Sequence, residues 1–300
     1  LLNFNNWWLI FHKVSYFESF GPASPIGHLW SLSIEAQFYL LWPIILIILL
    51  HFVPKRRHLI FSTLIMAAAS ILAMALIYQP GADPSRVYYG TDTRAFALLI
   101  GAAFAIACPS RKLPQHISEK SVRILDFMGG AGLFCILLMI LLTNEYDTYL
   151  YTWGLAFFSI IAGVVTVVLA HPASRVAKFM GCKPLRWIGV RSYSLYLWHY
   201  PVIILTNKAV DTGGLNAGRI ILQLVMSFLL AEFSYKFVEE PMRHGLLNRL
   251  PENQRFKQNR SAMRARFKRM SLLIPAMVFI FVFIISCTNH IDGGNEPAVS

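Results

Sequence analysis

Charge is what this 300-residue chain has least of: Asp, Glu, Lys and Arg together make up only 14% of it. A soluble protein usually carries about 25% charged residues to cover its surface. Acidic residues are the scarcer sign, 15 against 27 Lys and Arg. Cysteine is rare too. Cys108, Cys135, Cys182 and Cys287 stand far apart, with no CxxC pair and no metal-ligand spacing, so neither a disulfide framework nor a zinc site is indicated. No GxSxG, P-loop, HExxH or GxGxxG pattern occurs, and nothing points to nucleotide hydrolysis or a bound metal. These shortages exclude a cytosolic enzyme, a disordered tail and a disulfide-built secreted domain.

What fills the chain instead is apolar. Hydrophobic residues make up 56% of it, the mean hydropathy is +0.53, and there are 22 Phe and 7 Trp. Aromatic rings in that number suit a lipid-facing protein with interfacial belts. The expectation is an all-α, polytopic transmembrane bundle. Eight runs approach the roughly 20 residues that a bilayer core demands: about 30–53, 59–78, 94–107, 124–142, 151–170, 187–206, 218–238 and 270–287. The third is short, stopping at Cys108-Pro109, or else it takes in part of the preceding loop.

A net charge of +12 could suggest nucleic acid, but the cations sit in loops between apolar runs. If loops alternate sides, residues 54–58, 108–123, 171–191 and 236–269 share one side and hold 22 of the 27 Lys and Arg. The other side keeps only Lys13, Arg86, Arg94, Lys208 and Arg219. The positive-inside rule makes the rich side cytoplasmic, so residues 1–28, 79–93, 143–150 and 207–217 and the C-terminus face outward. The basic run 249–269 then reads as a topogenic loop touching lipid headgroups, with no nucleic-acid partner.

The two ends resemble places where a longer chain continues. Leu1 opens without Met or a signal peptide on an interface-like stretch, Asn3 to Trp8, and Asp292 to Pro297 has the composition of a linker. The expected organisation is a membrane domain over 1–245, a basic cytoplasmic loop over 246–269, a connector helix over 270–287 and an extracytoplasmic linker over 288–300. Ser286-Cys287 mimics a lipoprotein signal, but such signals stand at a protein's N-terminus.

Polar residues inside spans are the informative objects, because a mid-bilayer charge costs about 2.5–3.5 kcal/mol on insertion scales. On a helix from His28, the residues His28, Ser31, Glu35, Tyr39 and Trp42 form one polar and aromatic stripe. Glu35 could serve as a general base, orient a histidine or fix an internal hydrogen bond; a structural pair locking helices together is about as good a reading. Ser192, Tyr196 and His199 share a second face, and Pro201 breaks the hydrogen-bond ladder just beyond the histidine. Trp198 reads better as packing. Asp92 and Arg94 are expected as an interfacial ion pair or as acceptor contacts. Glu232, Tyr235 and Glu239 line one face of the seventh span, where pairing of Glu239 and Glu240 with Arg243 is the simpler reading.

Four stretches occur in the order seen in acyltransferase family 3 of integral membrane proteins: HLWSLSIEAQFYLLWP, TDTRAFALLIGAAFA, SYSLYLWHYPV and FSYKFVEEPMR. The chain resembles that family from about residue 1 to 245. The resemblance implies transfer of an acyl group, usually acetyl, from cytoplasmic acetyl-CoA to a hydroxyl of a surface glycan such as peptidoglycan, O-antigen or exopolysaccharide, with no metal. It also implies an upstream Arg…His segment and, beyond the eighth span, a fused extracytoplasmic SGNH-type esterase domain. Ala36 stands where the family often has a second Glu, so only Glu35 maps onto that pair. On this reading Glu35, His28 and His199 carry the catalytic roles. Trp30, Ser31, Gln37, Tyr39, Asp92, Arg94, Ser194, Tyr196 and Trp198 line the substrate path. The competing class is a proton-coupled permease of a glycan or small solute, with Glu35, Glu232 and His199 as a relay; the lack of an inverted repeat with paired broken helices counts against it. A bare membrane anchor has no reason to bear the insertion cost of these polar stripes.

Overall fold

Runs of Leu, Ile, Phe and Ala with few helix breakers fold as expected into helices, and no strand occurs among the described residues. The computed structural model describes residues 4–17, 24–53, 55–109, 113–114, 117–206 and 217–245. The chain divides into two compact units, Leu1–Gly21 with Gly27–Trp187, and Pro22–Ile26 with Ile188–Ser300.

The first unit starts with the short α1 (Asn5–Phe11), then a 3₁₀ turn at Gly27–Leu29 leading into α2 (Trp30–Phe52). There follow α3 (Arg56–Ile77), α4 (Ser85–Tyr89), α5 (Thr91–Ala107) and α6 (Glu119–Leu142). A π-helical turn at Leu150–Gly154 opens α7 (Leu155–Ala170), and α8 (Arg175–Met180) closes the series. Side-chain caps set two of the starts: Ser118 accepts from the Ser121 amide and Ser174 from the Ala177 amide. Cys108 leaves helical geometry directly before Pro109, as a residue preceding proline tends to.

The core of this unit lies where α3, α5 and α7 meet, around Met74, Phe96 and Tyr151, each at most 1% exposed. Apolar packing is joined by one polar lock: the Ser70 hydroxyl donates to the Asp92 carbonyl (2.5 Å) and accepts from the Phe96 amide (3.1 Å), tying α3 to α5. Small residues permit close helix approach in a membrane. Gly132 on α6 faces Val165, and a Cβ at Gly163 on α7 would collide with the Phe104 ring.

In the second unit α10 (Ser192–Thr206) packs against α11 (Ala217–Ser234). A π-helical turn at Tyr235–Glu239 and α12 (Glu240–Gly245) continue α11. Between α8 and α10 the chain forms α9 (Lys183–Val190), whose residues are all exposed.

Among the described residues, five helical stretches are long and apolar enough to cross a membrane: Gly27–Phe52, Arg56–Ile77, Glu119–Leu142, Leu150–Ala170 and Ala217–Arg243. They match five of the eight expected spans. The third expected span is α5, which at 17 residues is indeed short and begins at Thr91. The sixth needs correction. A single helix over 187–206 does not form, because the chain leaves helix at Arg191, between the amphipathic α9 and the apolar α10. Arg191 is drawn instead to a carboxylate on α11. The basic loop 246–269, the connector 270–287 and the linker 288–300 lie outside the described residues.

The two-sided arrangement of loops inferred from charge agrees with helix ends in the first unit. At one end Arg56 donates to the carbonyls of Ile106 and Ala107, which brings the loops at 54–58 and 108 together. At the other, Asn6, Gln37 and Tyr89 meet, and Tyr78 reaches Thr148.

Candidate functional site

At the end of the first unit that lacks the basic loops, α1, α2, α4 and α5 converge on a ring of aromatic side chains. Trp30 opens α2 and lies 6% exposed, with ring centroids 4.8 Å from Tyr88 and 5.4 Å from Tyr89. Tyr16 stands edge-on to Trp30 and 4.7 Å from Tyr88, while Phe17 bridges Tyr88 and Tyr146. Arg94, one turn into α5, projects into this ring. Its guanidinium carbon lies 4.7 Å from the Tyr88 centroid and 6.0 Å from that of Trp30. Rings at that distance attract a cation through their quadrupole. Among the described residues no carboxylate pairs with Arg94.

The expected pairing of Asp92 with Arg94 is therefore corrected. Asp92 is taken by Arg86 in a two-pronged bond (3.2 and 2.9 Å), and Arg86 also lies over Trp7. Asp92 and Arg94 are two residues apart on α5, so they point about 200° apart around the axis and cannot share a partner. Gly90 permits the tight entry to α5, since a Cβ there would strike the Arg86, Asp92 and Thr93 side chains.

Beside the aromatic ring runs a closed polar network. The fully buried Asn6 donates to the Tyr89 carbonyl (3.0 Å) and to Thr91 (2.9 Å). It accepts from the Gln37 amide (3.0 Å), and Gln37 in turn accepts from Thr91 (2.6 Å). Gln37, expected on the substrate path, is bonded to Asn6 and Thr91 as a strut between helices. Asn6 and Thr91 carried no signal in the sequence. Their partners are 31 to 85 residues away, and no local pattern marks such a meeting.

The stripe expected on α2 is rotated from its predicted face. The buried residues are Trp30, Ser33 and Ile34, with Gln37 half-buried beside them. His28 is buried in the 3₁₀ turn, Ser31 and Glu35 are half-buried, and Trp42 stacks on Phe38 against the core. Tyr39 is corrected: at 66% exposure it lies on the outer surface, opposite the Trp30 side. Glu35 sits five residues beyond Trp30, about 7.5 Å further along the axis. Among the described residues it makes no hydrogen bond or ion pair. A carboxylate in a spanning helix normally has such a partner.

The second unit holds the other expected residues. His199 Nδ1 donates to the carbonyls of Tyr196 (2.7 Å) and Leu195 (3.2 Å). A carbonyl can only accept, so Nδ1 carries a proton. Pro201 lies within α10 and supplies no amide to the carbonyl four residues earlier. Tyr196 lies 5.5 Å from the His199 ring, and Trp198 packs against Val202, Met226 and Leu230. Ser194 is buried and donates to Glu239 (2.9 Å), so the expected pairing of Glu239 with Arg243 is replaced. The acidic face expected on α11 is real: Arg191 bonds Glu232 and lies 4.7 Å from the Tyr235 centroid.

Comparison with known proteins bears on these arrangements. The acyltransferase domain family matches residues 1–234. The chain belongs to that family. With five membrane-length helices among its described residues, this member of the acyltransferase domain family is an integral membrane protein. It is 45% identical over 245 residues to the peptidoglycan O-acetyltransferase OatA of Listeria monocytogenes, covering 81% of this chain and 39% of the relative. To the putative peptidoglycan O-acetyltransferase YrhL of Bacillus subtilis it is 42% identical, covering 81% and 38%. To the O-acetyltransferase OatA of Staphylococcus aureus it is 40% identical, covering 80% and 39%. The chain thus spans about two fifths of the length of the curated relatives it matches. No solved structure matches it.

Proposed function

We propose that this chain is the membrane part of an O-acetyltransferase that moves acetyl from acetyl-CoA in the cytoplasm to a hydroxyl of a cell-wall glycan, peptidoglycan being the acceptor the relatives' names favour. One observation carries the reading. A spanning acyltransferase helix presents a carboxylate, Glu35, and α5 presents a guanidinium, Arg94, held by aromatic rings, and neither has an ion-pair partner among the described residues. A carboxylate and a guanidinium left uncommitted in spanning helices suit a reaction that needs both a base and a polarising cation.

In this scheme Arg94 polarises the acyl carbonyl oxygen, as preorganised donors do for charge that develops in a transition state. Glu35 takes the proton of the attacking hydroxyl, a C–O ester bond forms, the thioester C–S bond breaks, and the departing thiolate of CoA takes up a proton. Ser31 stands one helical turn before Glu35 and His28 about two turns before it, and Trp30 holds Arg94 in place. His199, with Tyr196 beside it, serves proton transfer in the second unit. The glycan is met outside the cell, where the sequence resemblance implies an SGNH-type esterase domain. The bonding of Glu232 to Arg191 counts against the permease reading, since a residue fixed in an ion pair is a poor proton relay.

The test is Glu35→Gln and His199→Ala in the full-length protein, scoring glycan O-acetylation and membrane expression together. A general base typically contributes about 10²–10⁴-fold, so a loss of about a hundredfold or more at normal expression is expected for Glu35→Gln. Near-normal acetylation in well-expressed variants overturns the assignment. Uptake of solute that follows a pH gradient, with no acetyl appearing on glycan, returns the permease.

A further inference from the structure

The first unit has a second feature of interest at its basic end, remote from the aromatic ring. Between α3, α5 and α7 runs a trough of about 350 Å³ lined by Leu64, Ala68, Ile71, Ala103, Phe104 and Ile160, among other apolar side chains. That volume lies within the roughly 300–1,000 Å³ typical of small-molecule sites. Its depth comes from alanines: Ala67, Ala68, Ala103 and Ala107 stand where larger residues would make an ordinary lipid-facing surface. A second hollow lined by Arg57, His58, Ile60, Phe61 and Leu64 adjoins it, sharing Ile60 and Leu64. An apolar trough thus opens at one end onto two basic side chains.

The surroundings leave those side chains available. Arg56 is occupied with the carbonyls of Ile106 and Ala107 (2.8 and 2.6 Å), which pins the rim to the end of α5. Arg57 and His58 are exposed, and among the described residues no carboxylate pairs with Arg57. Lys55, also exposed, lies two residues before Arg57 in the chain.

We propose that this groove binds one anionic phospholipid, with an acyl chain lying in the α3–α5–α7 trough and the headgroup phosphate on Arg57 and His58. Charge complementarity selects the occupant. A zwitterionic lipid gains little from the cationic rim, a soluble anion has no use for the trough, and basic pockets between spanning helices are a recurrent way of holding acidic lipids. The site differs from the acyl-transfer site in residues and in position, so either reading can fail without the other.

The experiment uses the full chain in neutral detergent, with phosphatidylglycerol and phosphatidylcholine of equal chain length as probes and retained lipid read by native mass spectrometry. One phosphatidylglycerol per chain is expected to be retained in preference to phosphatidylcholine. Removing one cation near a headgroup costs about fivefold in binding, so Arg57→Gln should cut the preference by about that factor. Lys178→Gln, an exposed cation on α8, should leave it unchanged. Ala68→Phe should abolish retention by filling the trough. Equal retention of the two lipids overturns the proposal, as does an equal drop in Arg57→Gln and Lys178→Gln, which would mean diffuse attraction. Arg57 is exposed and makes no bond among the described residues, so its variant decides the matter even if Ala68→Phe does not fold.

Discussion

Arg94 is held by shape as much as by charge. A flat guanidinium can lie 4.7 Å over Tyr88 and still reach the edge of Trp30. An ammonium group is a compact, strongly hydrated point charge and does not stack in that way. Arg94→Lys should therefore lower acetyl transfer by about 2- to 30-fold, the equivalent of a cation–π contact of about 0.5–2 kcal/mol, while membrane expression stays normal. Unchanged transfer would show that charge alone matters. At this scale the sequence was only partly legible. Glu35 stood out because an ionisable residue is costly in an apolar run, whereas Arg94 was expected only as an interfacial ion pair or acceptor contact. Their partners did not stand out. Asp92 goes to Arg86, and Asn6 joins Gln37 and Thr91 across the fold. Such partnerships depend on which helix ends meet, and periodicity along one helix carries no information about that.

Among the elements, the break at Arg191 is the clearest departure from expectation. Averaged hydropathy over 187–206 passes over a single arginine, because the flanking Trp, Ile, Val, Leu and Tyr outweigh it. The structure places that arginine between two helices, its side chain 15% exposed, where it reaches both Glu232 and Tyr235. Two contacts, Arg191 to Glu232 and Ser194 to Glu239, then bind the start of α10 to the end of α11. A double-mutant cycle with Arg191→Gln and Glu232→Gln should give a coupling of about 0.5–3 kcal/mol in unfolding free energy, as for other residues in direct contact. Additive effects would reduce the pair to a surface contact of little worth. The long spans, by contrast, were plain from sequence, because 20 or more apolar residues in a row have few other uses.

For the whole molecule, the distribution of cations proved a good guide to layout. The loops placed on one side by charge in the first unit do meet at one end of its helices, and those placed on the other side meet at the opposite end. The reason is simple: helices of membrane length joined by short loops must alternate, and cationic loops accumulate on one side. What charge counting could not supply is which helices touch. The packing of α3, α5 and α7 rests on alanine, glycine and serine positions whose meaning appears only when a neighbour is in place.

The brevity of α5 has a further consequence. Its 17 residues, bounded by Gly90 and Cys108, reach about 25 Å at 1.5 Å per residue, against a hydrocarbon layer of about 30 Å. A helix this short favours a locally thinner membrane, at a cost of a fraction of a kcal/mol for each ångström of mismatch. Because this helix bears Arg94, lipid tail length becomes a dial on the reaction. Reconstituted in vesicles of increasing acyl length, the full-length enzyme should acetylate fastest in the thinner bilayers and lose rate steadily as the tails grow, whereas a site indifferent to its host membrane would show a flat profile.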